Sequence, residues 1–574
     1  MITCQVMEAT NTITSPVQER SGVTQRLKVT FWLAAMILGV FQAWAYRHAI
    51  DTDGIAYLDI GEAYLHGNWN QAINGYWAPL YSWLIGLALF FFKPTPFWEF
   101  PAIHFLNFVV YLTALGCFEF FFCEFLAWRR LKANELSKQG LVTLSEPSWL
   151  MLGYTFFIWS SLNLISIREV TPDLCVSALV YLASGLLLRI RRKPMGWLSF
   201  ALLGVTLGFG YLAKAAMFLL AFVFLGASLF SVGNLKRAVP RLVIALSTFA
   251  VVSSPFIVAL SLAKGRPTFS DNPRYNYAFS VKRDSYYQAR YYGTRKLFND
   301  PAIYEFGTPV GGTYPLSYDP SYWGKDAPAH FDLRGQIKTL VLSLKEYYRI
   351  FFTLQSALIL GCLILFLMSG RHLLTFRDIR ESWPILVPAA AALGMYSLVC
   401  VLPRYIAPFL SLLWLGIFSG VRLPDLQQSR KLLIVVISVT TAMIMVSVAR
   451  DSYPTARDVV RDLIKGEDKL SHTYWQVANG LNQIGIKPGD KATSIGSYSS
   501  AFWARLARVR IVAEMPSEDV GHFWAANAAL QSEVIRTFAS TGAKVIVAEK
   551  APEYASSVGW QKIKNTDFFV YLLK

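Results

Sequence analysis

Four carboxylates, Asp51, Asp53, Asp59 and Glu62, crowd into a dozen residues of the stretch DTDGIAYLDIGEAYLHGNWNQAINGYWAPLYSW (51–83), which holds no Lys or Arg. The whole chain carries a formal net charge of +17, so this reversal of sign belongs to the segment. A carboxylate held at a bilayer surface can act as a general base. It would take the proton of an acceptor hydroxyl or amine as that group attacks an activated sugar. A phosphate leaving group needs cations close by. Arg168, Lys214, Arg404 and Lys93 all stand at the ends of apolar runs or in the connections expected on the same face. Each has a plain alternative role: Asp53 as a helix cap, Arg168 as the partner of Glu169, Lys214 snorkelling to the interface, Arg404 anchoring its helix. Their convergence on one face favours a shared role.

The element that must carry the acidic group is a short helix. Asp53 is expected to N-cap it, with Gly54 as its first residue and Gly67 as its end. On it Asp59 and Glu62, three residues apart, share a face, while Ile55, Leu58, Ala63 and Leu65 cover much of the rest. Such a helix is expected to lie along the membrane surface.

Composition sets the class. Across 574 residues, hydrophobic residues make up 54%, charged residues only 16%, and mean hydropathy is +0.38. These values belong to a multispanning membrane protein rather than a soluble one. The six cysteines form no CxxC pair and the seven histidines no HxxxH spacing, which argues against a disulfide framework and a His-built metal centre.

Charge then orders the spans. Residues 1–26 are polar, contain Pro and Ser, and read as a cytoplasmic tail. A first span follows over about 28–46, with Arg20, Arg26 and Lys28 placing its start inside. The apolar piece Leu80–Phe92 falls short of the roughly 20 residues a span needs, and Lys93, Pro94 and Pro96 stop it, so it reads as re-entrant or interfacial. The next spans run over 101–126, 149–165, 174–188, 197–213, 217–230, 242–262, 347–368, 384–402, 408–418 and 432–448. Basic clusters such as Arg129–Arg130–Lys132 and Arg189–Lys193 then fall on one side throughout. This predicts about eleven spans, amino terminus inside and carboxyl terminus outside. Loops 48–100 and 264–345 face out, and the transmembrane unit covers 27–449.

The segment Lys264–Lys345 has twelve Lys or Arg against seven Asp or Glu and is rich in aromatics. It is expected to be a structured loop whose basic groups face an anionic partner, with ordinary headgroup contact as the alternative. From 450 to 574 short β-rich runs alternate with helix, which predicts a small extracytoplasmic α/β domain. No GxGxxG or Walker sequence is present, and no nucleic-acid partner is expected.

These landmarks resemble a family, the integral-membrane type-C (GT-C) glycosyltransferases. They are most similar to the family 39 group of protein O-mannosyltransferases and the aminoarabinose transferase of lipid A. The similarity is carried by Asp53 four residues before Tyr57, Gly67 and WAPLYSW, by Thr171–Asp173 after Arg168, by GFGYLAK ending in Lys214, and by Pro403–Tyr405. It implies a mainly α, polytopic fold with a small C-terminal α/β domain. It also implies transfer of a sugar from a polyprenyl-phosphate donor to a lipid, protein or glycan acceptor at the outer face of a cell membrane, such as a bacterial inner membrane.

In the roles so implied, Asp53 is the base with Asp51 beside it. Lys214, Arg168, Arg404 and Lys93 meet the donor phosphate, and Tyr57, Asp59, Trp77, Tyr81 and Asp173 line the substrate site. The family's second acidic residue after the catalytic Asp is replaced here by Gly54, so a divalent cation between Asp51 and Asp53 is possible but unforced. The competing class is a transporter or flippase of a lipid-linked glycan. That class would be expected to show charge within the spans and an internal repeat, and neither is evident.

Overall fold

The computed structural model describes residues 16–282, 293–306, 311–323, 331–369, 379–465, 473–496 and 501–573. Most of the chain is helical. The helices that matter here are α1 (Pro16–Ala45), α2 (Thr52–Leu65), α3 (Pro79–Phe92), α4 (Pro96–Ser137), α5 (Glu146–Trp159, continued by a π-helical turn Ser160–Ile165) and α6 (Asp173–Arg192). They are followed by α7 (Trp197–Ala213), α8 (Ala216–Ser231), α9 (Leu235–Lys264), α10 (Leu333–Tyr348), α11 (Ser356–Ser369), α12 (Trp383–Ser397), α13 (Pro403–Phe418) and α14 (Gln427–Lys465).

Ten of the eleven expected spans each fall on one of these helices, and 347–368 runs from the end of α10 across a bend into α11. Among the described residues six helices are long and apolar enough to cross a membrane, and the run from α10 to α11 makes a seventh if its 75° bend is counted within one span. The remaining four, α7, α8, α12 and α13, have 15 to 17 residues. At 1.5 Å per residue they reach about 22–26 Å, short of a hydrocarbon core of roughly 30 Å. Segment Leu80–Phe92 forms α3, fourteen residues opened by Pro79 and closed by Lys93 in a left-handed conformation (φ 43°). Helix α1 begins at Pro16, inside the segment read as a tail; residues 1–15, and Arg371, His372 and Arg377 of an expected basic turn, lie outside the described residues.

Packing is close where small residues allow it. Helices α7 and α9 meet at Gly204, where a Cβ would come within 2.0 Å of the Ala245 carbonyl oxygen. Without water to drive association, such backbone approach supplies the dispersion that holds membrane helices together. Polar ties are local. Glu119 of α4 accepts from Lys28 and Trp32 of α1 and from Tyr154 of α5.

The carboxyl-terminal part forms the expected α/β unit, with one addition. Its sheet contains β1 (Arg295–Asn299), β2 (Ala302–Glu305), β3 (Lys491–Ile495), β4 (Arg510–Met515), β5 (Val545–Glu549), β6 (Gln561–Lys562) and β7 (Phe568–Leu572) in the order β1-β2-β4-β3-β5-β7-β6. The central strands β4, β3 and β5 are parallel. Strands β1 and β2 come from the 264–345 segment and join antiparallel at the β4 edge, covering it. One sheet face, with Ile495, Ala513 and Ile546, packs on the helix Ala528–Ala539 through Val534 and Phe538. The other, with Val545 and Val547, continues into the core of the helical unit beside Trp503.

The junction between the two parts is ionic as well as apolar. Arg505, only 3% exposed, reaches Asp59 (2.8 Å) and Glu62 (2.5 Å) of α2 and Glu99 (2.5 Å) at the start of α4. Arg508 adds a second cation, 3.2 Å from Glu99. Desolvation alone would push Glu62 up, but Arg505 and Arg508 bring it below the usual carboxylate value. Stranding a buried carboxylate by removing its partner costs about 3–5 kcal/mol. The segment 311–323 closes the same region: Thr313 donates to Asp59 from its backbone N–H (2.6 Å) and its hydroxyl (2.9 Å), and the Tyr318 hydroxyl donates to the Gln71 carbonyl (2.6 Å). Several described cations of this segment are paired internally, Lys264 and Arg266 with Asp271 and Arg295 with Glu305.

Candidate functional site

Helix α2 is not a surface helix. Its residues from Gly54 to Ile60 are all buried, and it packs along α3 within the protein. The cap also differs from the expected one. Asp51, in an extended conformation, is the N-cap: Oδ1 accepts from the Gly54 N–H at 2.6 Å, so Asp53 falls in the first turn. The sequence Asp-Thr-Asp offers two candidate caps, and the i to i+3 bond decides for the first. The other oxygen of Asp51 accepts from the Val170 N–H at 2.9 Å, which ties the start of α2 to the connection 166–172.

Freed from capping, Asp53 faces Arg404, Oδ2 to Nη2 at 3.2 Å. Arg404 is the second residue of α13, just after Pro403, and it also lies 3.7 Å from Glu169 and 3.6 Å from Asp173. Asp173, the first residue of α6, is 3% exposed and receives the Lys214 ammonium at 2.5 Å and the Thr171 hydroxyl at 3.0 Å. Lys214 sits in the break between α7 and α8, over the Tyr405 ring at 3.4 Å. Four chain segments far apart in sequence thus meet: the start of α2, the connection into α6, the α7–α8 break and the start of α13.

Fully ionised, Asp51, Asp53, Glu169 and Asp173 would carry four negative charges against the two of Arg404 and Lys214. Burial, then Asp53, then Glu169 push Asp51 up to about 7, although the N–H groups of Val170 and Gly54 pull it down. Burial also raises Asp53 above the ordinary carboxylate value, with Arg404 as the chief opposing influence. The pair therefore holds onto a proton well above the usual carboxylate range. Asp53 keeps 34% of its side chain exposed, so a substrate group can reach it.

Aromatic side chains wall this group. The Tyr57 ring lies 4.9 Å from Trp77 and 5.2 Å from Tyr81, and Tyr76 lies 4.6 Å from Trp77. Trp77 is fixed by its N–H to the Ser317 carbonyl (2.9 Å), and Tyr81 by its hydroxyl to Asn107. Burial holds the Tyr57 hydroxyl well above its ordinary pKa, so it is a neutral donor.

Of the residues singled out by sequence, Asp51, Asp53, Tyr57, Trp77, Tyr81, Asp173, Lys214 and Arg404 come together. Asp59 does not. It lies six residues further along α2, about 9 Å by helical rise, and is consumed by Arg505 and Thr313. Lys93 rims a separate apolar cavity of about 590 Å³ with Arg47, Trp44, Trp98 and Phe105. Arg168 lies over the Tyr46 ring (5.4 Å) and lines a cavity of about 220 Å³ with Asn163 and Asp451. The neighbouring Glu169 lines the same cavity and also lies 3.7 Å from Arg404, and sequence reading gave it no role of its own. Tyr76 and Tyr405 were also missed as site residues, though both stand in the motifs that flagged the region.

A divalent cation at the Asp51–Asp53 pair would compete with partners already present. Both Asp51 oxygens accept backbone N–H groups, and Asp53 faces a guanidinium. At position 54 a Cβ would come within 2.7 Å of Val170, so a second carboxylate there has no room. Among the described residues the only group of three potential ligands close enough to share an ion is Asp300, Asp519 and His522, at the β1–β2 turn and the helix Val520–Ala525.

No protein-family model matches the sequence, and no curated protein matches it. Among solved structures, the oligosaccharyltransferase of Archaeoglobus fulgidus, in complex with Zn and sulfate, aligns over 91% of this chain and 68% of its own, with 11% identity and a TM-score of 0.47. ArnT from Cupriavidus metallidurans aligns over 94% of this chain and 97% of its own, with 11% identity and a TM-score of 0.40 in the apo state. Bound to undecaprenyl phosphate it gives the same coverage, 12% identity and 0.39. Similarity of this order transfers no residue roles.

Proposed function

We propose that this protein is a membrane glycosyltransferase that moves a sugar from a polyprenyl-phosphate carrier to an acceptor hydroxyl or amine. The observation that carries the reading is the triad of contacts at Arg404. A reachable carboxylate, Asp53, stands against a guanidinium that also faces Asp173 and its partner Lys214. Asp53 takes the acceptor's proton as the acceptor heteroatom bonds to the anomeric carbon. The bond from that carbon to the phosphate oxygen breaks, and the phosphate departs with its electron pair. Arg404 and Lys214 neutralise it, so no metal is required in this scheme. Attack from the face opposite the leaving group inverts the anomeric centre. Tyr57, Tyr76 and Trp77 offer ring faces and hydroxyls to the sugar.

The test is transfer itself. Purified protein in liposomes, given a polyprenyl-phosphate donor with a labelled sugar and a crude acceptor extract, is expected to move label off the carrier. Label that only changes leaflet would instead mark a flippase and overturn the proposal.

The proposed orientation puts Asp53 outside. In a chain stripped of its own cysteines, single cysteines at the exposed positions Asn68 and Arg295 should react with an impermeant thiol reagent added to intact cells. Cysteines at Gln139 and Gln428 should react only after the membrane is opened. The opposite pattern would place the site inside.

A further inference from the structure

A second charged cavity lies away from the Asp53 cluster, at the end of the bundle where the basic turns gather. Arg191 and Lys132 converge there on Glu381, and Arg189 and Arg192 on Glu124. The cavity, about 290 Å³, lies between the end of α4, the start of α5 and the turn before α14. Its walls combine Leu126, Leu144 and Trp149 with Arg129, Arg130 and Arg430. That volume is near the lower end of ligand-sized pockets, which run roughly 300–1,000 Å³.

Two of its three arginines are balanced. Arg130 donates to Glu146 (Nε, 3.0 Å), and Arg430 holds Asp425 through two bonds at 2.8 and 2.9 Å. Both carboxylates belong to the same wall. Arg129 is different. It is 4% exposed, its Nε is sealed from solvent with no hydrogen-bond partner, and no carboxylate or carbonyl takes any of its N–H groups among the described residues. Its guanidinium rests only against the rings of Trp128 (5.3 Å) and Trp149 (5.6 Å). A second buried arginine, Arg422, is close enough to repel it; Glu381 is close enough to attract it, but that carboxylate is bonded to Lys132 at 2.6 Å and gives Arg129 no hydrogen bond. Buried guanidinium groups are normally hydrogen-bonded and paired, so one left over beside a cavity lacks an anion.

We propose that this cavity binds a phosphate group, that of a lipid headgroup, with Arg129 as its principal ligand. The charges lining the cavity sum to one net positive charge, which a phosphodiester monoanion would neutralise. Arginine is the side chain suited to that contact, because its planar fork donates two parallel bonds to a phosphate. Leu126, Leu144 and Trp149 would face the glycerol and the first methylenes, and the position at a basic bundle end is where anionic headgroups collect. The site is independent of the Asp53 chemistry.

The test uses the full-length protein in detergent, supplemented with phosphatidylglycerol, with phosphatidylcholine, or with inorganic phosphate. Thermal unfolding and native mass spectrometry provide the readouts. Phosphatidylglycerol is expected to raise the unfolding temperature by at least about 2 °C over phosphatidylcholine and to remain bound as one or two copies. The Arg129→Met variant should lose both effects, and Arg430→Gln, which frees Asp425 to oppose the anion, should weaken them. An equal shift from inorganic phosphate, absent in Arg129→Met, would keep the phosphate site but assign it to a soluble ester. If neither probe shifts wild type, or if Arg129→Met and Arg430→Gln shift as wild type does, the proposal is overturned. If Arg129→Met does not fold, Arg430→Gln and the wild-type lipid count decide alone.

Discussion

Asp53→Asn is expected to lower sugar transfer by roughly 10²–10⁴-fold, the usual contribution of a positioned general base, while the protein still inserts and still retains the donor lipid. The amide keeps the size of the side chain and can still accept from Arg404, so the packing around α2 survives. What it loses is the capacity to hold the acceptor's proton. Asp51→Asn is expected to be milder in turnover, because Asp51 spends both oxygens on the N–H groups of Gly54 and Val170. An amide oxygen serves the Gly54 cap about as well, but the amide nitrogen cannot accept from Val170. Comparing single-turnover rates of the two variants separates the roles. Near-normal turnover in Asp53→Asn with a dead Asp51→Asn would reverse the assignment, and activity in both would remove the main support for a transferase.

Arg404→Gln carries the second large effect, in two measurements that move together. Removing a charged partner from a largely buried cluster costs about 2–5 kcal/mol, so donor affinity should fall by roughly 30-fold or more. The second measurement is the pH profile. Burial raises Asp53 and Arg404 is the chief influence holding it down, so loss of Arg404 raises it further. The active form is the ionised one, populated above the folded pKa. The acid limb of the rate profile therefore moves to higher pH in Arg404→Gln. Stability runs the other way. A carboxyl whose folded pKa exceeds its unfolded 3.8 stabilises the fold most when both states are protonated, and that advantage fades as pH rises from about 3.8 to the folded value. For Asp51 the window ends near pH 7. An unshifted acid limb with weakened donor binding would confine Arg404 to the phosphate and exclude it from setting Asp53.

Much of this architecture could be read from residues alone, because apolar runs and basic turns report directly on spans. Asp53, Asp173, Lys214 and Arg404 could be singled out because each charge stands at the end of an apolar run. What escaped was the aim of neighbouring side chains. Arg168 and Glu169 line one cavity, yet Arg168 lies over Tyr46 while Glu169 also reaches Arg404, and Ser166, two residues before Arg168, is in a positive-φ conformation (70°) that no composition signals. The cap of α2 was placed on Asp53, two residues too late, and the bond from the Gly54 N–H gives it to Asp51. Strands β1 and β2 were hidden inside a basic, aromatic segment that reads as a loop: they pair with each other as a short hairpin, and the strand that β2 joins, β4, lies some 200 residues away and leaves no local pattern. Asp59 looked like a substrate ligand for the same reason: its true partner was nowhere near it in sequence.

That partner sets a clock for assembly. Arg505 follows Asp59 by 446 residues and Glu99 by 406. At roughly 5–20 residues per second, the ribosome needs about 20–90 s to travel from the acidic group to its cation. Throughout that interval Asp59, Glu62 and Glu99 have no Arg505 or Arg508, and the far end of α2 must stay hydrated. The helix that carries Asp53 is among the first elements made and among the last to be locked. A chain that ends between Arg404 and Arg505 contains every residue of the Asp53 cluster but lacks the cation that pairs Asp59, Glu62 and Glu99.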